Sequence, residues 1–289
     1  MTVLAEPSFA APSAEEVMAR AGSENFPVAS RLLPAAQREH LLAIYGFARL
    51  VDELGDTIEP ADRLAALDWL SGELDAAFAG VARHPLMVRL QSTIVACALA
   101  RGPFERLIEA NRLDQRKERY ATWEELRSYC SLSADPVGEL VLAVFGASSP
   151  ERIELSDRIC TALQLAEHCQ DVAEDLRAGR VYIPAEDLAR FGCSEDELAA
   201  PHASPAVRAV LAFEVARARA LISEGLPLVG TLRGRARLAV AAFAAGGSAA
   251  LEAIERAGYD VLAGPPKASA TRRLVILAAT LRRPEARRR

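Results

Sequence analysis

Residues 164–184, QLAEHCQDVAEDLRAGRVYIP, place Gln164, His168, Asp171 and Asp175 at offsets 0, 4, 7 and 11, so on an α-helix they share one face. Leu163, Leu165, Val172 and Leu176 around them are apolar, which predicts a helix packed into a larger body with its acidic stripe turned from bulk water. Carboxylates in such a place need a partner, and two on adjacent turns repel unless positive charge lies between them. A hard divalent cation meets that need. A solvated helix face is the alternative, since Asp pairs four residues apart also occur there. Residues 45–56, YGFARLVDELGD, bear on the choice by setting Tyr45, Arg49, Asp52 and Asp56 at the same offsets. Two helices, each ending in Asp-x-x-x-Asp, are what a site would need to hold Mg²⁺ between facing carboxylates and a diphosphate.

The rest of the chain reads as helices. Hydrophobic residues make up 51% and aromatics 6%, an Ala/Leu/Val-rich balance that favours helix over sheet, and no convincing alternating strand occurs. Helix signals run over 13–20, 35–53, 60–79, 85–100, 103–117, 122–145, 150–178, 205–224, 235–256 and 271–281, often with Pro or Thr near the start and Gly near the end. Ser13 with Glu16, and Thr122 with Glu125, have capping-box spacing. Pro136 interrupts an apolar period, predicting a kink near Asp135, where the small Ser131, Ser133 and Ala134 leave either a cavity wall or a packing accommodation. Gly179 should end the acidic helix. The run from Leu238 to Leu251, interrupted by Gly246 and Gly247, is too short to span a bilayer and reads as a core helix. The expected architecture is a single all-α domain over 23–281, with a flexible segment at 1–22 and a basic tail at 282–289.

Charge and cysteine usage narrow the function. A net charge of −5 gives no reason to expect nucleic acid as a partner. Five cysteines without C-x-x-C spacing point to reduced thiols rather than disulfides or zinc. Cys97, Cys130, Cys160 and Cys193 are expected to fill core space, and Cys169, next to His168, points elsewhere around the helix. No basic and apolar leader opens the chain, so the expected location is cytoplasmic. The five arginines of the tail would suit contact with anionic lipid at the inner membrane face, or simply solvation. Arg116, Lys117 and Arg119 in DQRKERY offer charge to a diphosphate, or cap a solvated helix end. A di-iron bundle would need Glu-x-x-His pairs on two helices, and none occurs.

With these residues in view the chain resembles the squalene/phytoene synthase family, head-to-head isoprenoid synthases whose two aspartate-rich motifs match Asp52–Asp56 and Asp171–Asp175. The likeness covers nearly all of 23–270. Within the family, ENFPVASRLLP at 24–34, YCSLSADPVG at 129–138 and the segment at 164–184 are most similar to the bacterial hopanoid-pathway branch called hydroxysqualene synthase. The resemblance implies an isoprenoid synthase helical bundle with a central apolar cavity and Mg²⁺ on Asp52, Asp56, Glu167, Asp171 and Asp175. It implies that Tyr45 and Arg49 share in catalysis with the aspartates. It also implies that Ser23, Asn25, Phe26, Tyr129, Leu132, Val137, Gln164, Arg180 and Tyr182 line the substrate, a prenyl diphosphate.

Three departures from the family pattern matter. Leu132 stands where condensing members carry a Tyr thought to assist the joining of two farnesyl groups. Glu167 stands where many members have Asn, and Gln170 replaces the usual Arg before the aspartate. The reading they favour is an enzyme that receives presqualene diphosphate, from an upstream presqualene diphosphate synthase, and lets water capture the cation to give hydroxysqualene. NADPH is not expected. A sibling that condenses two prenyl diphosphates, and a non-catalytic isoprenoid-binding helical protein, remain alternatives.

Overall fold

The computed structural model describes Phe9, residues 11–19 and residues 33–282. Ser23, Asn25 and Phe26, and all of the basic tail beyond Arg282, lie outside the described residues. The helices are α1 (Ala14–Met18), α2 (Ala35–Asp56), α3 (Arg63–Phe78), α4 (Pro85–Cys97), α5 (Gly102–Asp114), α6 (Trp123–Ser133), α7 (Asp135–Val144) and α8 (Pro150–Gln170). They continue with α9 (Val172–Arg177), α10 (Ala185–Arg190), α11 (Glu195–Leu198), α12 (Pro205–Gly225), α13 (Pro227–Thr231), α14 (Gly234–Arg256) and α15 (Ala270–Leu281). Among the described residues there is no strand, and a lone parallel bridge joins Arg119 to Val181.

Local chemistry explains most boundaries. Ser13 and Glu16 form the expected capping box on α1. Thr122 caps α6 by accepting the Glu125 N–H, while the Glu125 carboxylate accepts from Ala121 at 2.9 Å. The chain breaks at Ala134, where Pro136 predicts it. The break is held by Asp135, 2% exposed, whose carboxylate accepts from Thr161 at 2.9 Å and from Arg127 at 2.8 Å. Three single-turn helices, α10, α11 and α13, were not expected, because elements of four to six residues are too short to show a period. The helix expected over 150–178 is in fact two, parted at Asp171, which takes up φ −102°, ψ 15°.

The helices group into two compact units, Met1–Arg116 with Pro136–Ser148, and Lys117–Asp135 with Ser149–Arg289. In the first, α2 packs on α1, α3, α4 and α5. Its core holds Phe47, Leu50, Leu54, Leu67, Leu70 and Phe104, and the Phe47 and Phe104 rings meet edge to face at 5.0 Å. Buried Glu73 is satisfied by the backbone N–H groups of Arg83 and His84 at 3.2 and 3.0 Å.

In the second unit α8 packs on α12, α13 and α14. The approach is close because glycine stands at the crossings. A Cβ on Gly225 would come within 2.7 Å of the Leu155 carbonyl, and one on Gly247 would collide with the Leu163 side chain. α14 has the length and composition to cross a membrane, but its apolar residues are core, as expected, packed on α8, α12, α13 and α15. The five cysteines are free thiols; burial pushes Cys130 up to about 12, which leaves it an inert core filler.

A charged cluster lies inside this unit. Arg217 donates to Glu214 at 2.6 Å and to Asp187 at 2.9 Å, and its guanidinium stacks over Trp123 and Phe213. Burial pushes Glu214 up to about 7; Arg217 opposes this and Asp187 adds to it. An acid with a raised folded pKa stabilises fully below its ordinary value near 4.5, and that contribution is lost as pH rises through about 7. Arg217→Met, which strands two buried acids, is expected to cost about 3–5 kcal/mol. Glu214→Gln should instead be tolerated and should lose less stability than wild type between pH 6 and pH 8.5, read from urea unfolding midpoints at each pH.

Candidate active site

Each unit carries one aspartate pair. In the first, α2 runs through Asp56 and presents Tyr45, Arg49, Asp52 and Asp56 on successive turns. Arg49 donates to Glu53 at 3.0 Å and lies 3.8 Å from Asp52. Burial opposes its charge, but Asp52, Glu53 and Tyr45 outweigh burial and raise its pKa. Its Nε is buried with no acceptor among the described residues, a donor an anionic ligand would satisfy.

Crowding by protein atoms raises the pKa of Asp52; Arg49 pulls it down, Asp56 pushes it up, Asn111 lowers it by a hydrogen bond and Asp114 raises it. Its side chain is still 48% exposed, so the crowded carboxylate remains open to solvent. Asn111 reaches this carboxylate because residue 55 is glycine: a Cβ there would collide with the Asn111 amide. Gln115 donates to the Gly55 carbonyl at 3.0 Å, and Arg63 donates to the Asp56 carbonyl at 2.8 Å, so the last turn of α2 is pinned.

In the second unit the break at Asp171 divides the predicted acidic face without losing its register. The Asp171 N–H still reaches the Glu167 carbonyl at 2.9 Å, and the Asp175 N–H reaches the Asp171 carbonyl at 2.8 Å, so the two aspartates stay one turn apart. The sparsely populated backbone region at Asp171 is one in which active-site residues often sit. Burial, with Glu174 adding, raises the pKa of Asp171. Glu167 is half-buried in the last turn of α8. Gln170 faces away from this work: it is buried, and its amide donates to the Pro266 carbonyl at 2.6 Å.

The exit from α9 positions the next two site residues. Gly179, at φ +85°, closes the helix with its N–H on the Leu176 carbonyl, and the Arg180 N–H returns to the Asp175 carbonyl at 2.8 Å. This is a Schellman closure, and it ties Arg180 to the turn that carries Asp175. Beyond it, the Val181 N–H bonds the Glu118 carbonyl and the Ala185 N–H bonds the Tyr120 carbonyl, both at 2.9 Å. Arg119 secures the same junction through Glu195 and the Gly179 carbonyl. Tyr182 is thereby set flat on His168, ring centres 3.8 Å apart.

Tyr182 also lies 5.5 Å from Tyr129 and 5.8 Å from Tyr120, and Arg180 donates to its hydroxyl at 3.4 Å. His168 contacts Gln164 through Nε2 at 3.3 Å, with Nδ1 4.0 Å from Asp175. Burial, with Arg180 adding, drives its pKa down to about 3, so it is a neutral imidazole. Gln164, Asp175, Arg180, Tyr129 and Tyr182 are thus brought together around it. Leu132, half-buried, lies three residues beyond Tyr129 on α6; Val137, on α7, belongs to the first unit.

Among the described residues, no three acidic, histidine or cysteine side chains converge to cage an ion. The donors offered are carboxylate oxygens on crowded turns. Such a set fits Mg²⁺, which takes one or two protein carboxylates and completes its shell with water and phosphate oxygens.

A family model described as squalene/phytoene synthase matches residues 19–275. The chain belongs to the squalene/phytoene synthase family. Hydroxysqualene synthase of Sinorhizobium fredii is 36% identical to it over 213 residues, 73% of this chain and 72% of that one. Presqualene diphosphate synthase of Rhodopseudomonas palustris is 34% identical over 216 residues, 73% and 75% of the two chains. The crystal structure of squalene synthase HpnC from Alicyclobacillus acidocaldarius superposes with a TM-score of 0.78 at 47% identity, covering 87% of this chain and 94% of that one. The all-α fold is that of this synthase family, as the sequence led one to expect.

For this squalene/phytoene synthase the sequence pattern left His168 and Tyr120 without a role, and read Lys117 only as charge for a diphosphate or a solvated helix end. His168 lay on the acidic face but received no role, although its offset of 4 from Gln164 is the signal. Tyr120 stacks with Tyr182, and the Lys117 ammonium sits 4.9 Å over the Tyr120 ring; long-range backbone pairing places both, and no local pattern reports that. The neutral His168 yields a pH prediction. The unfolded chain protonates it near 6.5 and the folded chain near 3, so stability is lost as pH falls through that window, by about 1.4 kcal/mol per pH unit. His168→Phe, which keeps a ring under Tyr182, should lose less stability than wild type between pH 7 and pH 4.5 in urea unfolding.

Proposed function

We propose that this protein converts presqualene diphosphate to hydroxysqualene, with Mg²⁺ on Asp52, Asp56, Glu167, Asp171 and Asp175. The observation that carries the reading is Leu132. Three residues along α6 from Tyr129, it puts an aliphatic side chain where condensing members of the family are expected to hold a phenol. The similarity to hydroxysqualene synthase supports the same assignment.

When bound, Mg²⁺ supplies Lewis-acid neutralisation of the charge that builds on the departing diphosphate. The chain's own groups do the rest. Arg49, with a buried Nε lacking an acceptor among the described residues, and Arg180, tied to the Asp175 turn, donate to phosphate oxygens. The C–O bond of the ester breaks with its electron pair on diphosphate, leaving a carbocation. The π faces of Tyr129 and Tyr182 stabilise that cation electrostatically, and a neutral His168 beneath Tyr182 adds no opposing charge. Water then forms the new C–O bond and releases a proton, with no change in redox state. NADPH is therefore not required. The substrate would come from an upstream enzyme of the presqualene diphosphate synthase type.

Asp171→Asn should lower turnover about a hundredfold or more, as loss of a single electrostatic group does where charge develops. An unchanged rate would remove Asp171 from the metal set. The reaction itself is tested by product analysis with Mg²⁺, offering presqualene diphosphate and farnesyl diphosphate separately, each with and without NADPH. Hydroxysqualene from presqualene diphosphate alone, indifferent to NADPH, is expected. Presqualene diphosphate or a hydrocarbon from farnesyl diphosphate would establish the condensing reading, which the similarity to presqualene diphosphate synthase favours.

A further inference from the structure

Asp175 stands on α9, beyond the break at Asp171, and His168 stands on α8, three residues before it. Their side chains approach across the break. His168 Nδ1 lies 4.0 Å from the Asp175 carboxylate, and Nε2 lies 3.3 Å from the Gln164 side-chain nitrogen. The Tyr182 ring, 3.8 Å away and 14° from parallel, fixes the plane of the imidazole. A half-turn of the ring about its Cβ–Cγ bond would keep that stack while putting carbon where each nitrogen stands, so the stack alone leaves the facing edge undecided. Gln164 decides it. Four residues back on the same helix, it sets its amide against Nε2, a contact that the half-turn would forfeit.

The two neighbours also fix where the ring carries its hydrogen. An amide nitrogen can only donate, so Nε2 is the acceptor of the Gln164 contact and the ring hydrogen belongs on Nδ1. Asp175 gives the same answer by separate chemistry, because a lone pair on Nδ1 would face a carboxylate and repel it, whereas an N–H is attracted. The 4.0 Å separation is longer than a hydrogen bond, and a rotation of the carboxylate shortens it. We propose that His168 is the positioning residue of Asp175: its Nδ1–H, held by Gln164 and Tyr182, orients the carboxylate that the proposed reaction assigns to Mg²⁺. The inference rests on that assignment. A carboxylate steered by a hydrogen bond on one oxygen presents the other to the cation already aligned. The role suits the architecture, since α9 is six residues long and the His168 contact ties its acid to the rigid α8.

The first readout needs no metal. In long-range ¹H–¹⁵N spectra of protein labelled at its four histidines, His168, assigned by its absence from His168→Phe, should show the Nδ1–H tautomer. An Nε2–H tautomer would overturn the proposal. The second readout is Mg²⁺ binding in the presence of inorganic pyrophosphate, by calorimetry. His168→Phe keeps a ring under Tyr182 but loses the donor, and should weaken binding about 10- to 100-fold. His168→Asn loses the ring but keeps an amide N–H where Nδ1 stood, and should stay within about threefold of wild type. His168→Gln moves that N–H to the place of Nε2; it should bind as weakly as the Phe variant and serves if that variant unfolds. The reverse order, or no difference between the Phe and Asn variants, would mean that the ring only packs, and would overturn the role. Product analysis on the same proteins separates the two readings. The expected order of Mg²⁺ affinities without hydroxysqualene from presqualene diphosphate sinks the reaction alone, and hydroxysqualene with the reverse order sinks the positioning role alone.

Discussion

The close crossing of α8 with α12 and α14 is the constraint from which the second unit is built. Gly225 and Gly247 let the helices approach until a single added methyl would strike the Leu155 carbonyl or the Leu163 side chain. Interiors packed at that density do not deform continuously, so α8 is a fixed rod. Its last turns hold Gln164, Glu167 and His168 in place. The break at Asp171 follows directly, and the acidic pair begins where the rod stops.

From that rigid end a short sequence of local bonds assembles the rest of the cluster. The glycine closure at Gly179 brings Arg180 back to the Asp175 turn, and backbone pairing with residues 118–120 lays Tyr182 on His168. The arrangement is electrostatically consistent. A buried imidazole beside an arginine has every reason to shed its proton, and a neutral ring among tyrosines makes a surface that tolerates a passing cation better than a charged one would. The aspartates go the other way. Burial pushes Asp171 towards protonation, and crowding does the same to Asp52, a tension that the proposed cation would relieve.

Charge elsewhere in the molecule is handled by pairing. Arg217 offsets two buried acids, Asp135 spans Thr161 and Arg127 across a helix break, and Glu73 is satisfied by backbone N–H groups alone. These groups have protein partners close enough to hydrogen-bond. Among the described residues, no three acidic, histidine or cysteine side chains gather at either aspartate pair to cage an ion.

The helical class, both Asp-x-x-x-Asp pairs and the stops at Pro136 and Gly179 were legible in the amino-acid sequence, because each is a local property of periodicity, ring constraint or backbone freedom; the family was legible only through the resemblance of its motifs. The sequence also contained His168, but the neutrality of its imidazole arises from burial under Tyr182 and from Arg180, neither of which is a neighbour on its helix. Tyr120 and Lys117 entered the cluster only through pairing of segments some sixty residues apart. The parting of α8 from α9 was likewise invisible, since an uninterrupted helical pattern runs across Asp171. Periodicity determines which residues can share a face, but tertiary packing alone decides where that face is broken and what is laid against it.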